Sequence, residues 1–132
     1  MTKYNLRRIV PLLILMVVYC YSARTQPVIE HVNSKAMKKA MESESNVVVL
    51  DVRQPGEMVE GKIPGAENID IKQDEFWLKF KALSKEKKYF VYSSDGGLST
   101  SAARVMKQMG FQNVYNLLGG FEAWKSAGYF VE

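Results

Sequence analysis

The sequence predicts a single α/β domain built on a parallel sheet with helices on both faces, and three observations carry that prediction. Short β-branched and aromatic runs alternate along the chain with segments of helical periodicity, the order expected of a parallel sheet. Val47-Val48-Val49-Leu50 is a continuous apolar run, as in a strand covered on both faces. The stretch from Lys88 to Gly110 passes from a strand pattern through the small and polar loop at Ser93 into a helix. Such a loop lies at the carboxyl end of its strand, where the free N–H groups of a helix N-terminus can cradle an anion.

The elements follow in order. Val28 to Val32 reads as a first strand, and Asn33 or Ser34 as the cap of a helix whose apolar face is Ala36, Met37, Ala40 and Met41. The Val47–Leu50 strand ends on Asp51, at the rim where α/β proteins place function. Pro55-Gly56 marks a turn, and Glu57 to Glu60 has room for about one helical turn. Gly61-Lys62-Ile63-Pro64-Gly65-Ala66 is too punctuated for a helix and leads to a short strand at Glu67 to Ile71. Asp74 is placed to cap a helix running through Leu83, with Phe76, Trp77, Phe80 and Leu83 as its apolar stripe. Tyr89 to Tyr92 is the next strand, and the helix after its loop carries Ala102, Val105, Met106 and Met109 on one face. Gly110 suits a helix end, Val114 to Leu117 is a further strand, and Phe121 to Lys125 a last short helix after Gly119-Gly120.

Charge and cysteine content narrow the function. The chain of 132 residues has a formal net charge of +4, but Lys3, Arg7 and Arg8 precede a 13-residue apolar run from Ile9 to Tyr21 that is broken only by Pro11. A membrane span needs about 20 apolar residues, so residues 1–23 read as a secretory signal peptide, residues 24–27 as a linker and residues 28–132 as the domain. The protein is then expected to be exported, to the periplasm or the medium. Without residues 1–23 the chain keeps 15 basic residues against 14 acidic ones, which removes the case for nucleic acid. Cys20 is the only cysteine. It is a candidate for lipidation, with Tyr19 before it where a small residue is expected, or else a small apolar residue lost with the signal. Either way the folded domain has no thiol for a disulfide, a metal or nucleophilic catalysis.

Four separate pieces of the chain, taken together and in order, resemble the rhodanese (sulfurtransferase) domain. They are Val49-Leu50-Asp51-Val52-Arg53, Gly61-Lys62-Ile63-Pro64-Gly65-Ala66-Glu67-Asn68-Ile69, the strand and loop through Ser99, and Asn116-Leu117-Leu118-Gly119-Gly120-Phe121-Glu122-Ala123-Trp124. The resemblance covers about four-fifths of the chain and implies a central parallel sheet of about five strands with no cofactor. In that family the loop reads Cys-x-x-Gly-x-Arg, followed by Ser or Thr. The cysteine takes sulfur from a donor such as thiosulfate, holds it as a persulfide and passes it to an acceptor such as cyanide or a thiol. The arginine and backbone amides hold the anion.

Set on this sequence, the active-site loop is Ser93, Ser94, Asp95, Gly96, Gly97, Leu98 and Ser99, with Ser93 at the cysteine position, Gly96 as the loop glycine and Leu98 at the arginine position. Loop length and glycine are kept, and both chemical groups are replaced. A hydroxyl cannot form the family's persulfide, because the chemistry needs a sulfur that ionises near neutral pH. Leu98 removes the guanidinium fork and Asp95 adds a negative charge. Lys62 stands where the family more often has His.

Ser93 as a nucleophile in its own right needs a base, and the only histidine, His31, is read on the first strand with no reason to meet the loop. Loop and cap hydrogen bonds are the stronger reading for Ser93, Ser94 and Ser99. A Cys-based phosphatase needs the same cysteine and arginine and a loop one residue longer. Asp51, Arg53 and Lys62 are candidates for the pocket rim. The competing reading, favoured for Asp51 and Arg53, is that Asp51 accepts backbone N–H groups and Arg53 pairs with a nearby acid.

The sequence therefore points to an exported, catalytically silent rhodanese-like module whose loop takes a partner protein segment or a small anionic ligand. Two alternatives stand beside it. One is a thiosulfate-type sulfurtransferase, or an altered copy of one with Ser93 as a trap. The other is an interaction domain held at the membrane through a lipid on Cys20.

Overall fold

In the computed structural model, residues 27–132 are described, and the expectations for residues 1–23, most of the linker and Cys20 lie outside them. Five strands form one sheet: β1 (Glu30–Val32), β2 (Val47–Asp51), β3 (Glu67–Asn68), β4 (Lys88–Tyr92) and β5 (Asn113–Leu117). Their spatial order is β1-β5-β4-β2-β3, and every neighbouring pair is parallel. All strands therefore run in one direction: β2, β4 and β5 start level, while β1 begins opposite Tyr115 and β3 opposite Leu50. Among the described residues four α-helices flank the sheet, α1 (Ser34–Ser43), α2 (Phe76–Ala82), α3 (Gly97–Gln108) and α4 (Gly120–Ser126), with a 3₁₀ helix at Pro55–Glu60.

The two faces of the sheet make two cores. On one, Leu50, Val52, Tyr89, Val91 and Val114 meet Phe80 of α2 and Ala102, Ala103 and Met106 of α3. On the other, Val49, Phe90, Tyr92 and Leu117 meet Met37 and Ala40 of α1 and Phe121 and Trp124 of α4. The alternation of neighbours along β4 between the two clusters is the period of two that a doubly covered strand requires. No helix among the described residues is long and apolar enough to cross a membrane.

Local chemistry fixes the boundaries. Asn33 caps α1, its Oδ1 accepting the Ala36 N–H at 2.8 Å. Ala36 itself is exposed, so the buried face of α1 is Met37 and Ala40 with Met41 half-buried. The first strand is three residues, shorter than the Val28–Val32 run. β3 is shorter still than the expected Glu67–Ile71. After Ile69 N–H reaches Asp51 C=O at 2.9 Å, the Asp70 carboxylate takes the Lys72 N–H at 2.9 Å and turns the chain away. α2 begins at Phe76 with no side-chain cap, so Asp74 does not cap it, and Trp77 lies outside the buried stripe of Phe76, Phe80 and Leu83. α3 ends where Gly110 N–H bonds Lys107 C=O at 3.1 Å and Phe111 N–H bonds Met106 C=O at 3.1 Å.

Candidate functional site

The Ser93 loop lies at the carboxyl end of β4 and runs directly into α3. Its backbone is clamped against the start of α4: Phe121 N–H donates to Ser93 C=O at 2.8 Å and Glu122 N–H to Ser94 C=O at 3.1 Å. The approach is so close that a Cβ on Gly120, where φ is +56°, would stand 2.2 Å from Ser93 O and 2.7 Å from Ser94 O. Gly96, at φ +92°, precedes α3 and packs against the Leu117 carbonyl, 3.0 Å from where a Cβ would sit. Only glycine meets both demands at these two positions.

Inside the loop, polar groups are satisfied by one another. The buried Ser93 Oγ accepts the N–H of Gly96 at 3.1 Å and of Ser99 at 3.3 Å, and lies 3.2 Å from the Ser99 hydroxyl. Asp95 Oδ1 accepts the Gly97 N–H at 2.9 Å. Three of the amides here, those of Gly96, Gly97 and Ser99, are thus bonded to side chains of the same segment. Thr100 adds a hydroxyl bond to Gly96 C=O at 2.8 Å. Leu98 is half-buried and packs onto the core below instead of reaching over the loop. From the other side, the exposed Glu57 of the 3₁₀ helix accepts the Ser94 hydroxyl at 2.6 Å while its second oxygen takes the Gln54 N–H at 3.0 Å. A carboxylate on each of Asp95 and Glu57 therefore borders the loop.

Asp51 and Arg53 are buried, not on an open rim. Asp51 accepts the Arg53 backbone N–H at 3.0 Å, the Arg53 guanidinium at 2.6 Å and the Tyr92 hydroxyl at 2.7 Å. The guanidinium also donates to Gly61 C=O at 2.9 Å and Glu57 C=O at 3.3 Å, and its carbon lies 4.2 Å from the centre of the Phe121 ring. Burial opposes the Arg53 charge, yet the hydrogen bond and charge of Asp51 outweigh it, and the guanidinium titrates above its ordinary value. The Tyr92 hydroxyl is pushed well above the ordinary tyrosine value, by burial first and then by its bond to the Asp51 carboxylate. It also accepts the Ile63 N–H at 3.1 Å, which ties the Gly61–Ala66 segment to β4. Lys62 turns to the Glu132 carboxylate at 2.9 Å and the Ala66 carbonyl at 3.1 Å.

His31, exposed on β1, meets Asn116 on β5 across their paired register, at 3.0 Å between Nδ1 and Nδ2. It makes no hydrogen bond to Ser93 among the described residues. Tyr92, Glu57 and Gly120 are the residues that sequence reasoning did not assign to this region. Their contacts with Asp51, Ser94 and Ser93 O come from the folding of the chain, and only the Gly119-Gly120 doublet left a local trace.

A parallel α/β sheet with a glycine-bearing loop between its central strand and a helix N-terminus defines the class of protein. The rhodanese-like domain family matches residues 33–127, and the chain belongs to that family. The "Thiosulfate sulfurtransferase GlpE" of Coxiella burnetii is 37% identical over 82 residues, covering 61% of this chain and 74% of that protein. A "Sulfurtransferase" of Allochromatium vinosum is 25% identical over 100 residues, covering 76% of this chain and 92% of that protein. The crystal structure of a rhodanese-related protein from Thermoplasma volcanium superposes with a TM-score of 0.70 at 32% identity, covering 78% of this chain and 97% of that one.

Proposed function

We propose that this protein is an exported rhodanese-like domain that does not transfer sulfur and serves as a binding or regulatory module. The observation that carries this reading is Ser93. By resemblance it occupies the cysteine position, and its buried hydroxyl already accepts the Gly96 and Ser99 amides. An alcohol there neither ionises near neutral pH nor stores a sulfane sulfur. Leu98 and Asp95 support the same reading, since one supplies no cation and the other places a carboxylate on the Gly97 amide. A binding role is supported by the intact loop end of the sheet and by two exposed apolar side chains there, Val59 on the 3₁₀ helix and Leu118 after β5. Export is supported by the Lys3, Arg7 and Arg8 cluster ahead of the Ile9–Tyr21 run, and attachment by Cys20 at its end.

Because relatives are named as thiosulfate sulfurtransferases, thiosulfate with cyanide as acceptor is the assay of choice. The full chain, with Cys20→Ala alongside to remove the remaining thiol, is expected to give the rate of the protein-free blank. Ser93→Cys is expected to restore little or nothing, since Leu98 and Asp95 remain. A rate above blank in the unaltered chain that vanishes in Ser93→Ala would overturn the reading.

A further inference from the structure

The end of the sheet opposite the Ser93 loop carries a different surface. We propose that this strand-start end, together with the outer face of α2, docks on a lipid bilayer bearing anionic headgroups. α2 turns Phe76 and Phe80 into the core, and the helical period then places Leu78 on the outward side with Trp77 and Lys81 flanking it. Leu78 is 65% exposed and Trp77 46%, and the Trp77 ring is braced against Phe76 at 4.3 Å between centroids. An outward apolar apex flanked by lysine, with a tryptophan held at its edge, is the side-chain arrangement that partitions into a bilayer interface.

The charge has the matching sign. Lys79, Lys81, Lys85 and Lys87 are all exposed, and none is in an ion pair among the described residues, whereas Lys88 pairs with Glu44 at 2.6 Å. Against them stand Glu86, engaged by the Ser84 hydroxyl at 2.8 Å, Glu44, held by Lys88, and Glu67, which lines a surface groove together with Lys87, so lysines outnumber acids there by two; Asp74 and Glu75 lie ahead of α2, at its other end. Lys85 and Lys87 sit in the turn before β4, at the end where β2, β4 and β5 begin level with one another. The chain also enters the domain there, through exposed Val28 ahead of β1, with the apolar run Ile9–Tyr21 a short way upstream in the sequence. A chain held by a lipid on Cys20 would turn this end toward the membrane and the Ser93 loop away from it. A second copy would bring the same excess of lysines and repel. The inference is independent of whether the loop transfers sulfur.

The test uses the full chain with vesicles of phosphatidylcholine, alone or mixed with phosphatidylglycerol, whose acyl chains carry bromine as a quencher. Trp77 emission is isolated by subtracting the Trp77→Phe variant, which retains Trp124. Quenching of Trp77 is expected with the anionic vesicles. Lys79→Gln, Lys81→Gln and Lys85→Gln together should lower partitioning by on the order of a hundredfold. Failure to sediment with anionic vesicles, sedimentation without Trp77 quenching, or equal quenching on phosphatidylcholine alone would each overturn the proposal. So would concentration-dependent shielding of Trp77 without lipid, which would assign the face to a second copy.

Discussion

Tyr92 and Ser93 are neighbours in the chain, yet they belong to two regions that have fared differently. Tyr92 closes the buried cluster of Asp51 and Arg53, where both charges and the hydroxyl are matched by donors and acceptors from β2, β4, the 3₁₀ helix and the Gly61–Ala66 segment. Ser93 opens a loop whose backbone course is equally well held, but whose functional groups are a hydroxyl, a leucine and an aspartate. In the first region the side chains are the frame. In the second the frame is backbone and glycine, so the side chains there can change without loss of the fold. The difference teaches that a preserved loop shape reports the scaffold, while chemistry must be read from the atoms inside it.

Substitutions can break this contrast. The largest effect is expected from Arg53→Met, which leaves the Asp51 carboxylate buried without its cation; unfolding stability should fall by about 3–5 kcal/mol, read from the urea midpoint. Gly120→Ala strikes the loop frame instead, since its Cβ would stand 2.2 Å from Ser93 O at φ +56°. A loss of about 3 kcal/mol in the same measurement is expected. A loss well under 1 kcal/mol would mean that the loop backbone yields easily and that its shape is not held as described.

A smaller effect separates the regions by pH. The folded state holds the Tyr92 proton more tightly than the unfolded chain, because the hydroxyl is buried and bonded to Asp51. Its contribution is therefore fully present below the ordinary tyrosine value near pH ~10 and declines as pH rises above it. The urea midpoint of the unaltered chain should drop between about pH 9 and about pH 11, and Tyr92→Phe should flatten part of that drop. Tyr89, whose hydroxyl is also raised by burial, accounts for some of the remainder.

The fold was legible because its signals are local and periodic. The apolar run at Val47–Leu50 and the strand, loop and helix around Ser93 each fall within a few residues, and their order implies a parallel sheet. The same rule misplaced Trp77. An aromatic one position beyond Phe76 is turned well off the buried stripe, and the helix starts too late for Asp74 to cap it. At the site, the loop from Ser93 to Gly96 could be named in advance, although Gly97, Leu98 and Ser99 already belong to α3, and so could the pairing of Arg53 with an acid. What escaped was the company they keep. Tyr92 joins Asp51 across 41 positions of sequence and Glu57 joins Ser94 across 37, and contacts at that distance leave no pattern in a single chain. Likewise Lys62 looked like a rim cation, but its reach to Glu132 depends on where the end of the domain packs.

With the Gly96, Gly97 and Ser99 amides bonded inside the loop, thiosulfate is expected to find no site on them. The most direct measurement is a titration of isotope-labelled full chain with thiosulfate, following the amide resonances of Gly96, Gly97 and Ser99. Those resonances are predicted to stay in place beyond the change that matched sodium chloride produces. Saturable shifts of all three at low millimolar thiosulfate, absent with chloride, would contradict the account.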